Sequence, residues 1–336
     1  MIKDKILKVG IIGLGVGEAH LKSYKNIPNV EVKSICDIDV NRLKYIADRY
    51  NIEGRYIESK YITEDPDIDV VSICSYDNYH AEQLISCFRN GKNVMVEKPV
   101  VLFKEEAESV IKEWKNSKCK ITSNLILRES PRFKNIKKMI LAGDFGEIYH
   151  IEGDYLHNIL YKITEGWRGK MPFYSTVYGG GIHLIDLIRW LMNDDIKEVC
   201  SMGNNLLTNK TNYTYPETMT SLFKFNKGAT GKNTATYGPQ RTKFHSLNIY
   251  GTKKSYVNHT GKGEIFSGDT EKDVILDDTP YPGFVKGDLL PEFIESIRTN
   301  AEPNVKGEDI FKVMDICFAI WESYQKKITV EVSYIL

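Results

Sequence analysis

Three groups of residues in this sequence have the types and spacing of chemistry. The first is Gly13-Leu14-Gly15-Val16-Gly17, which ends an apolar run and opens a helix-like stretch. Glycines there let the backbone turn tightly and let a pyrophosphate approach the positively polarised N-terminus of the helix. A strict Gly-x-Gly-x-x-Gly would have glycine where Glu18 stands, so the loop taken alone is a weak signal. Its context strengthens it: Asp37 follows Gly15 by 22 residues and ends the next apolar run, where a carboxylate accepts hydrogen bonds from an adenosine ribose. That charge would repel a 2′-phosphate, so the expected cofactor is NAD in preference to NADP, with Arg42 pulling the other way.

The second group is Glu97-Lys98-Pro99, behind the buried-type run Asn93 to Val96. A lysine at the carboxyl edge of a parallel sheet, desolvated by cofactor and substrate, can carry the hydroxyl proton while hydride leaves the same carbon. A surface lysine paired with Glu97 fits the same pattern. The third group lies between Tyr149 and Tyr178, where Tyr155, His157, Tyr161, Trp167, Arg168 and Tyr174 offer the hydrogen-bonding groups and aromatic walls that a hydroxyl-rich ligand needs. For any single aromatic among them, ordinary packing of an amphipathic ring is the stronger reading. Arg128 or Arg168 could take a phosphate or carboxylate by a two-pronged contact. His150, His157 and His183 lack metal-ligand spacing, and no metal is expected.

These groups need elements to hold them. From Leu7 to about Thr122, short apolar runs (Leu7 to Gly13, Val30 to Cys36, Val70 to Cys74, Asn93 to Glu97, Lys120 to Thr122) alternate with amphipathic stretches of crossover length, which predicts a doubly wound α/β domain with a parallel sheet. After Pro131 a helix runs to Ala142, and alternating stretches at Glu147 to Tyr155, Thr218 to Phe225, Gly228 to Tyr237 and Lys243 to Tyr250 predict a mainly antiparallel sheet. Helical spacing marks Gly181 to Met192, Leu290 to Thr299 and Ile310 to Tyr324. The expected division is residues 1–123, a dinucleotide-binding domain of Rossmann type, and residues 124–336, an α+β domain for substrate binding and oligomerisation.

Composition narrows the partners. Lys and Arg number 45, as do Asp and Glu, with no long run of one sign, so neither nucleic acid nor a membrane surface is expected as a partner. The six cysteines are scattered without a Cys-x-x-Cys pair, and no apolar run is long enough to span a bilayer. A cytoplasmic protein with a small-molecule ligand is expected.

Several of these residues together resemble the Gfo/Idh/MocA oxidoreductases, which include glucose-fructose oxidoreductase and inositol dehydrogenase. The resemblance rests on Gly13-Leu14-Gly15 with Ala19-His20, Cys36-Asp37, Ser75-Tyr76-Asp77 with His80, Glu97-Lys98-Pro99, Gly179-Gly180-Gly181 with His183 and Asp186, Ile249-Tyr250-Gly251-Thr252, and Phe293 to Arg298 with Pro303. It covers both domains. It implies that Lys98 assists catalysis, that His183 faces the nicotinamide from a helix, that Ser75, His80 and Glu97 line the cofactor side, and that Asn124 and Arg128 stand where the chain returns to the substrate. It also implies a large, mostly antiparallel sheet that often mediates dimers or tetramers, so a homodimer or homotetramer is expected.

Two departures bear on mechanism. Polyol dehydrogenases of this family usually carry an aspartate four residues before the histidine, where this chain has Gly179, and Ser75-Tyr76-Asp77 replaces the common Thr-Pro-Asn. Asp186 shares a helix face with His183 and could orient its ring, or could serve structure alone. The expected activity is NAD-dependent oxidation or reduction of a secondary alcohol or ketone on a sugar, a sugar derivative such as a nucleotide sugar, or an inositol. Its competitors are a sugar-modifying enzyme that recycles a tightly bound NAD through hydrolysis or dehydration, a non-catalytic nicotinamide sensor, and a biliverdin-reductase-like enzyme, for which a flatter and more apolar cleft would be suited.

Overall fold

A computed structural model describes residues 5–336. By its internal contacts the chain forms two compact units. One runs to Ile126 and takes back Val285–Phe311 and Ile335–Leu336; the other comprises Leu127–Phe284 and Lys312–Tyr334.

The first unit is built on β1 (Leu7–Ile12), β2 (Val30–Cys36), β3 (Gly54–Tyr56), β4 (Val70–Ile73), β5 (Asn93–Val96) and β6 (Ile121–Ser123). They form one parallel sheet in the order β3-β2-β1-β4-β5-β6. Near-continuous Val and Ile runs suit it because helices cover both faces: the four residues of β4 are all buried. The crossovers are α1 (Leu14–Lys25), α2 (Val40–Tyr50), the short α3 (Lys60–Thr63), α4 (His80–Arg89) and α5 (Lys104–Asn116). Asp39 caps α2 by accepting from the amides of Asn41 and Arg42, and left-handed Asn51 closes it. Strand order reverses between β1 and β4, so the loops at their carboxyl ends form the crevice in which such sheets bind ligands.

In the second unit, α6 (Pro131–Leu141) leads into β7 (Ile148–Leu156), followed by α7 (Leu160–Thr164), α8 (Ile182–Met192), β8 (Ile196–Asn204), β9 (Thr218–Phe225), β10 (Thr230–Thr236), β11 (Phe244–Gly251), β12 (Ser255–Val257), β13 (Gly263–Phe266) and β14 (Val274–Asp277). With β15 (Val330–Glu331) the strands form a nine-stranded sheet ordered β14-β13-β12-β11-β7-β10-β9-β8-β15. All its pairs are antiparallel except β7 with β10. The molecule is therefore α/β, with a Rossmann-type parallel sheet in one unit and a large, mostly antiparallel sheet in the other. Helix α8 lies on β7 at Gly153, where an added Cβ would come within 3.1 Å of Leu184 and Ile188 side-chain carbons.

The sequence reading divides the chain once, at 123/124, and leaves everything later with the second domain. The contacts return α9 (Leu290–Thr299) and the segment around it to the first unit. Pro291 opens this helix, and its apolar stripe of Leu290, Phe293, Ile294 and Ile297 is buried where α9 meets α1 and β5. The hydroxyl of Thr122 donates to the Val305 carbonyl at 3.0 Å, and the Trp114 ring meets Phe311 at 5.7 Å, at the first turn of α10 (Gly307–Lys326). Among the described residues no helix is long and apolar enough to cross a membrane.

Candidate active site

The glycine loop is a cradle by sterics. Gly13 sits at φ 84°, and a Cβ there would lie 2.4 Å from the Cys74 carbonyl oxygen behind β4, so only glycine fits. Its amide donates to the Cys36 carbonyl at 2.8 Å, which locks the loop to the end of β2. Gly17 packs against Ile11, with an added Cβ only 2.9 Å from Cγ2, while Gly15 is exposed and Val16 half-buried. Helix α1 starts at Leu14, directly behind Gly13 and earlier than its periodicity suggests, so the loop and the first turn are one object. Asp37 stands beside that turn: Oδ2 accepts from the Leu14 amide at 2.7 Å and Oδ1 from the Asp39 amide at 2.8 Å. Each carboxylate oxygen has a second lone pair for a ribose hydroxyl. Bare backbone at a helix N-terminus with an oriented carboxylate beside it fits a dinucleotide pyrophosphate and its adjoining ribose.

Beyond β4 and β5 the same unit gathers Ser75, His80, Glu97 and Lys98. His80 is buried and ties two loops together, Nδ1 lying 2.8 Å from the Pro99 carbonyl and Nε2 3.3 Å from that of Ser75. Ser75 donates to the Gln83 side-chain oxygen at 2.7 Å. Lys98 is half-buried at the sheet's carboxyl edge and precedes a cis Pro99. Glu97 points into the interior: its Oε1 lies 3.3 Å from His20 Nε2 and accepts from Asn124 Nδ2 at 2.7 Å. On its other side His20 Nδ1 is 2.9 Å from the Ser72 hydroxyl and 3.4 Å from the Cys74 sulfur. Burial pushes the Glu97 carboxyl up, but His20, Lys98 and Asn124 outweigh it and hold the group at about 2. Burial likewise pulls the His20 imidazole down, and Cys74 and Glu97 more than offset that, raising it to about 10. The His20–Glu97 pair escapes sequence reasoning, because 77 residues separate the partners and only the β1–β4–β5 neighbourhood joins them.

The second unit gathers its own cluster. Val177–Gly181 forms a wide π-type turn into α8, and its three glycines let it press onto tyrosines. A Cβ on Gly180 would lie 2.5 Å from the Tyr155 ring, and one on Gly179 would lie 2.2 and 2.3 Å from the hydroxyls of Tyr237 and Tyr174. Buried His183 stacks on Tyr155, centroids 6.1 Å apart and planes 22° apart, and the Tyr155 hydroxyl lies 2.9 Å from His157 Nδ1. Arg168 stacks on Trp167, its guanidinium carbon 4.4 Å from the ring, and donates from Nε to the Tyr174 hydroxyl at 2.9 Å. Tyr161 is exposed, with Lys162 over its ring. Arg128 and Asp186 are both buried and grip each other, Nε to Oδ2 at 2.9 Å and Nη2 to Oδ1 at 2.5 Å. Two charges withdrawn from water need such pairing, which makes this couple a brace beneath α8.

His245 is a residue the sequence reading missed. It faces Tyr155 across the β7–β11 ladder with ring centroids 5.6 Å apart, and its Nδ1 lies 2.9 Å from the Tyr281 hydroxyl. Burial, then Lys243 and His157, depress the imidazole to about 3, so it is neutral at ordinary pH. Nothing in its local sequence signals this; only strand register does.

A parallel sheet with this cradle and ribose acceptor, joined to a second unit rich in buried histidine and tyrosine, defines the class of nicotinamide-dependent oxidoreductases. Residues 7–125 match the model of the oxidoreductase family with an NAD-binding Rossmann fold, and residues 133–257 match the GFO/IDH/MocA C-terminal domain. The chain belongs to the Gfo/Idh/MocA family. It is similar to myo-inositol 2-dehydrogenase of Thermotoga maritima, 25% identical with 98% of this chain and 100% of that protein covered. It is also similar to inositol 2-dehydrogenase of Salmonella paratyphi B, 30% identical over 57% of this chain and 56% of that one. Among solved structures, levoglucosan dehydrogenase in complex with NADH and L-sorbose shares the fold, with a TM-score of 0.88 at 23% identity over 98% of this chain and 99% of that one.

Proposed function

We propose that the protein oxidises a secondary alcohol of a sugar or polyol, reversibly, with NAD preferred over NADP. The observation that carries the cofactor preference is Asp37, fixed by two amides at the mouth of the glycine cradle, where a 2′-phosphate would meet its charge. The full-length likeness to an inositol dehydrogenase supports the substrate class.

When bound, the nicotinamide supplies the hydride acceptor. Lys98 Nζ takes the hydroxyl proton as the C–H bond of the same carbon is broken, so that alcohol loses a hydride and a proton and becomes a ketone. To accept that proton Lys98 must first be neutral, which desolvation by cofactor and substrate would favour. His183, held face-on by Tyr155, assists at the substrate oxygen, and Asn124, Arg128, Tyr155, Trp167 and Arg168 complete or brace the substrate surroundings. Ser75 and His80 shape the loops on the cofactor side. The protein works in the cytoplasm as a homodimer or homotetramer; exposed Met202 and Leu222 on adjacent strands of the large sheet support self-association.

The test is the appearance of reduced nicotinamide absorbance when purified protein, NAD or NADP, and a panel of inositols, free sugars and charged sugar derivatives are mixed. Reduction of NAD by one chemical class is expected; no reduction with any of them overturns the reading.

A further inference from the structure

Across the large sheet, Met219, Ala235, Tyr155 and His245 stand in one row on the neighbouring strands β9, β10, β7 and β11. Tyr155 and His245 are its polar members. Two residues along, the facing pair Gly153 and Leu247 is closed: Leu247 is fully buried, and Gly153 meets Leu184 and Ile188 of α8. The rings of Tyr155, His183 and His245 lie within 6.5 Å of one another by centroids, and the residues keep small exposures of 5, 8 and 4%. Apolar packing under α8 therefore gives way here to a polar group that still reaches accessible space.

The hydrogen bonds around His245 fix its tautomer. Its backbone amide donates to the Tyr281 hydroxyl at 2.8 Å, and that hydroxyl lies 2.9 Å from Nδ1 of the same residue. Among the described residues the hydroxyl proton has one acceptor, Nδ1, so Nδ1 accepts and the ring proton sits on Nε2. The His245 carbonyl is taken by Asn258 Nδ2 at 2.8 Å. Nε2 has no hydrogen-bond partner among the described residues, yet it is not one of their sealed, unsatisfied polar atoms, so it faces accessible space. Burial, with Lys243 and His157, holds the ring uncharged, and Tyr155, His183 and Tyr281 complete its ionisable surroundings. A nearly buried N–H left without a protein acceptor is costly unless a ligand supplies one.

We propose that His245 recognises the substrate, its Nε2–H donating one hydrogen bond to a substrate oxygen held beside Tyr155 and His183. This rests on the sugar or polyol reading above and adds a specificity residue to it. A donor that cannot accept selects an oxygen with a free lone pair: a hydroxyl, a ring ether or a carbonyl. The contact therefore serves alcohol and ketone alike.

The experiment titrates protein loaded with NADH with myo-inositol, D-glucose and D-glucose 6-phosphate by calorimetry, and measures NAD reduction by each in parallel. Two variants separate recognition from structure. In His245→Gln the amide nitrogen takes the place of Nε2, whereas in His245→Asn the amide oxygen keeps an acceptor for Tyr281 and no donor reaches the Nε2 position. The best-bound probe is expected to bind His245→Asn about tenfold more weakly than the parent, and His245→Gln recovers most of that loss, as a single hydrogen bond requires. NADH affinity stays at the parental value in both. The loss is constant from about pH 6 to about pH 9, because a ring held at about 3 does not titrate there. His245→Asn binding at parental affinity, both variants weakened alike, or a loss that grows as pH falls across that range overturns the proposal. Selective loss in His245→Asn with no NAD reduction by any probe sustains it and overturns the dehydrogenase reading instead. A parent protein that neither binds nor oxidises any of the three overturns both.

Discussion

His20 and Glu97 show how a residue's environment sets its chemistry. Glu97, at about 2, lies below its ordinary 4.5, so its contribution to stability is present above pH 4.5 and is lost as pH falls toward 2. His20, at about 10, lies above its ordinary 6.5, so its contribution is complete below pH 6.5 and is lost as pH rises through 10. The pair therefore supports the fold fully between these two ordinary values and weakens on either side. Glu97→Gln is expected to cost about 3 kcal/mol near neutral pH, because one partner of a buried pair is left behind, and to flatten both flanks of the stability profile measured by urea unfolding. Lys98→Ala keeps NAD binding within a few-fold and lowers kcat by roughly a hundredfold or more if Lys98 moves the proton. Near-parental turnover would remove that role. Asp37→Ala should weaken NAD about tenfold more than NADP, read as the ratio of the two dissociation constants, since loosening of the Leu14 amide affects both cofactors alike. That Lys98 and Asp37 stand just past the carboxyl ends of β5 and β2 was legible in the sequence, because each follows a short apolar run. His245 was not, because its neighbours are brought to it by register alone.

At the scale of elements, legibility followed pattern strength. Five of the six strands of the parallel sheet were read because buried strands are mostly apolar, β3 (Gly54–Tyr56) escaping with no buried residue, and the four alternating stretches that became β7, β9, β10 and β11 because one face is wet. Strand β8 escaped: Lys197, Glu198, Cys200 and Ser201 break its alternation, and its buried positions are only Ile196, Val199 and Ser201. Strands β12 to β14 are three or four residues long, too short for a period to register. The turn Val177–Gly181 was read only as a glycine run, yet it is where α8 is pressed onto the tyrosines. Gly179→Ala is therefore expected to destabilise by about 1–3 kcal/mol through overpacking, measured by chemical unfolding, and to perturb His183 through the displaced rings. Gly179→Asp should be worse still, so an acid at 179 does not improve turnover unless Tyr174 and Tyr237 are shortened with it.

At the scale of the molecule, the first unit is not a contiguous piece of chain. The parallel sheet was legible because βαβ units are local, but the return of Val285–Phe311 was not, because an amphipathic helix advertises an apolar face without naming what covers it. Its anchors are specific: Phe293 is fully buried, Ser23 donates to the Gly287 carbonyl at 2.9 Å, and Arg298 reaches the carbonyls of Pro28 and Asn29. Helix α9 thus packs on α1, the helix that opens directly behind the glycine loop, although the two lie far apart along the chain. Phe293→Ala should cost about 3–5 kcal/mol of stability by opening a cavity beside α1. Because binding draws on the folded population, the same variant should show a lower thermal midpoint that NAD partly restores. A chain ended at residue 284 removes the whole return and is expected to lose both cooperative unfolding and NAD binding, monitored by circular dichroism and calorimetry. Retention of native NAD affinity by that shortened chain would mean that the parallel sheet folds without the returning segment, and that α9 merely covers a surface the cradle does not need.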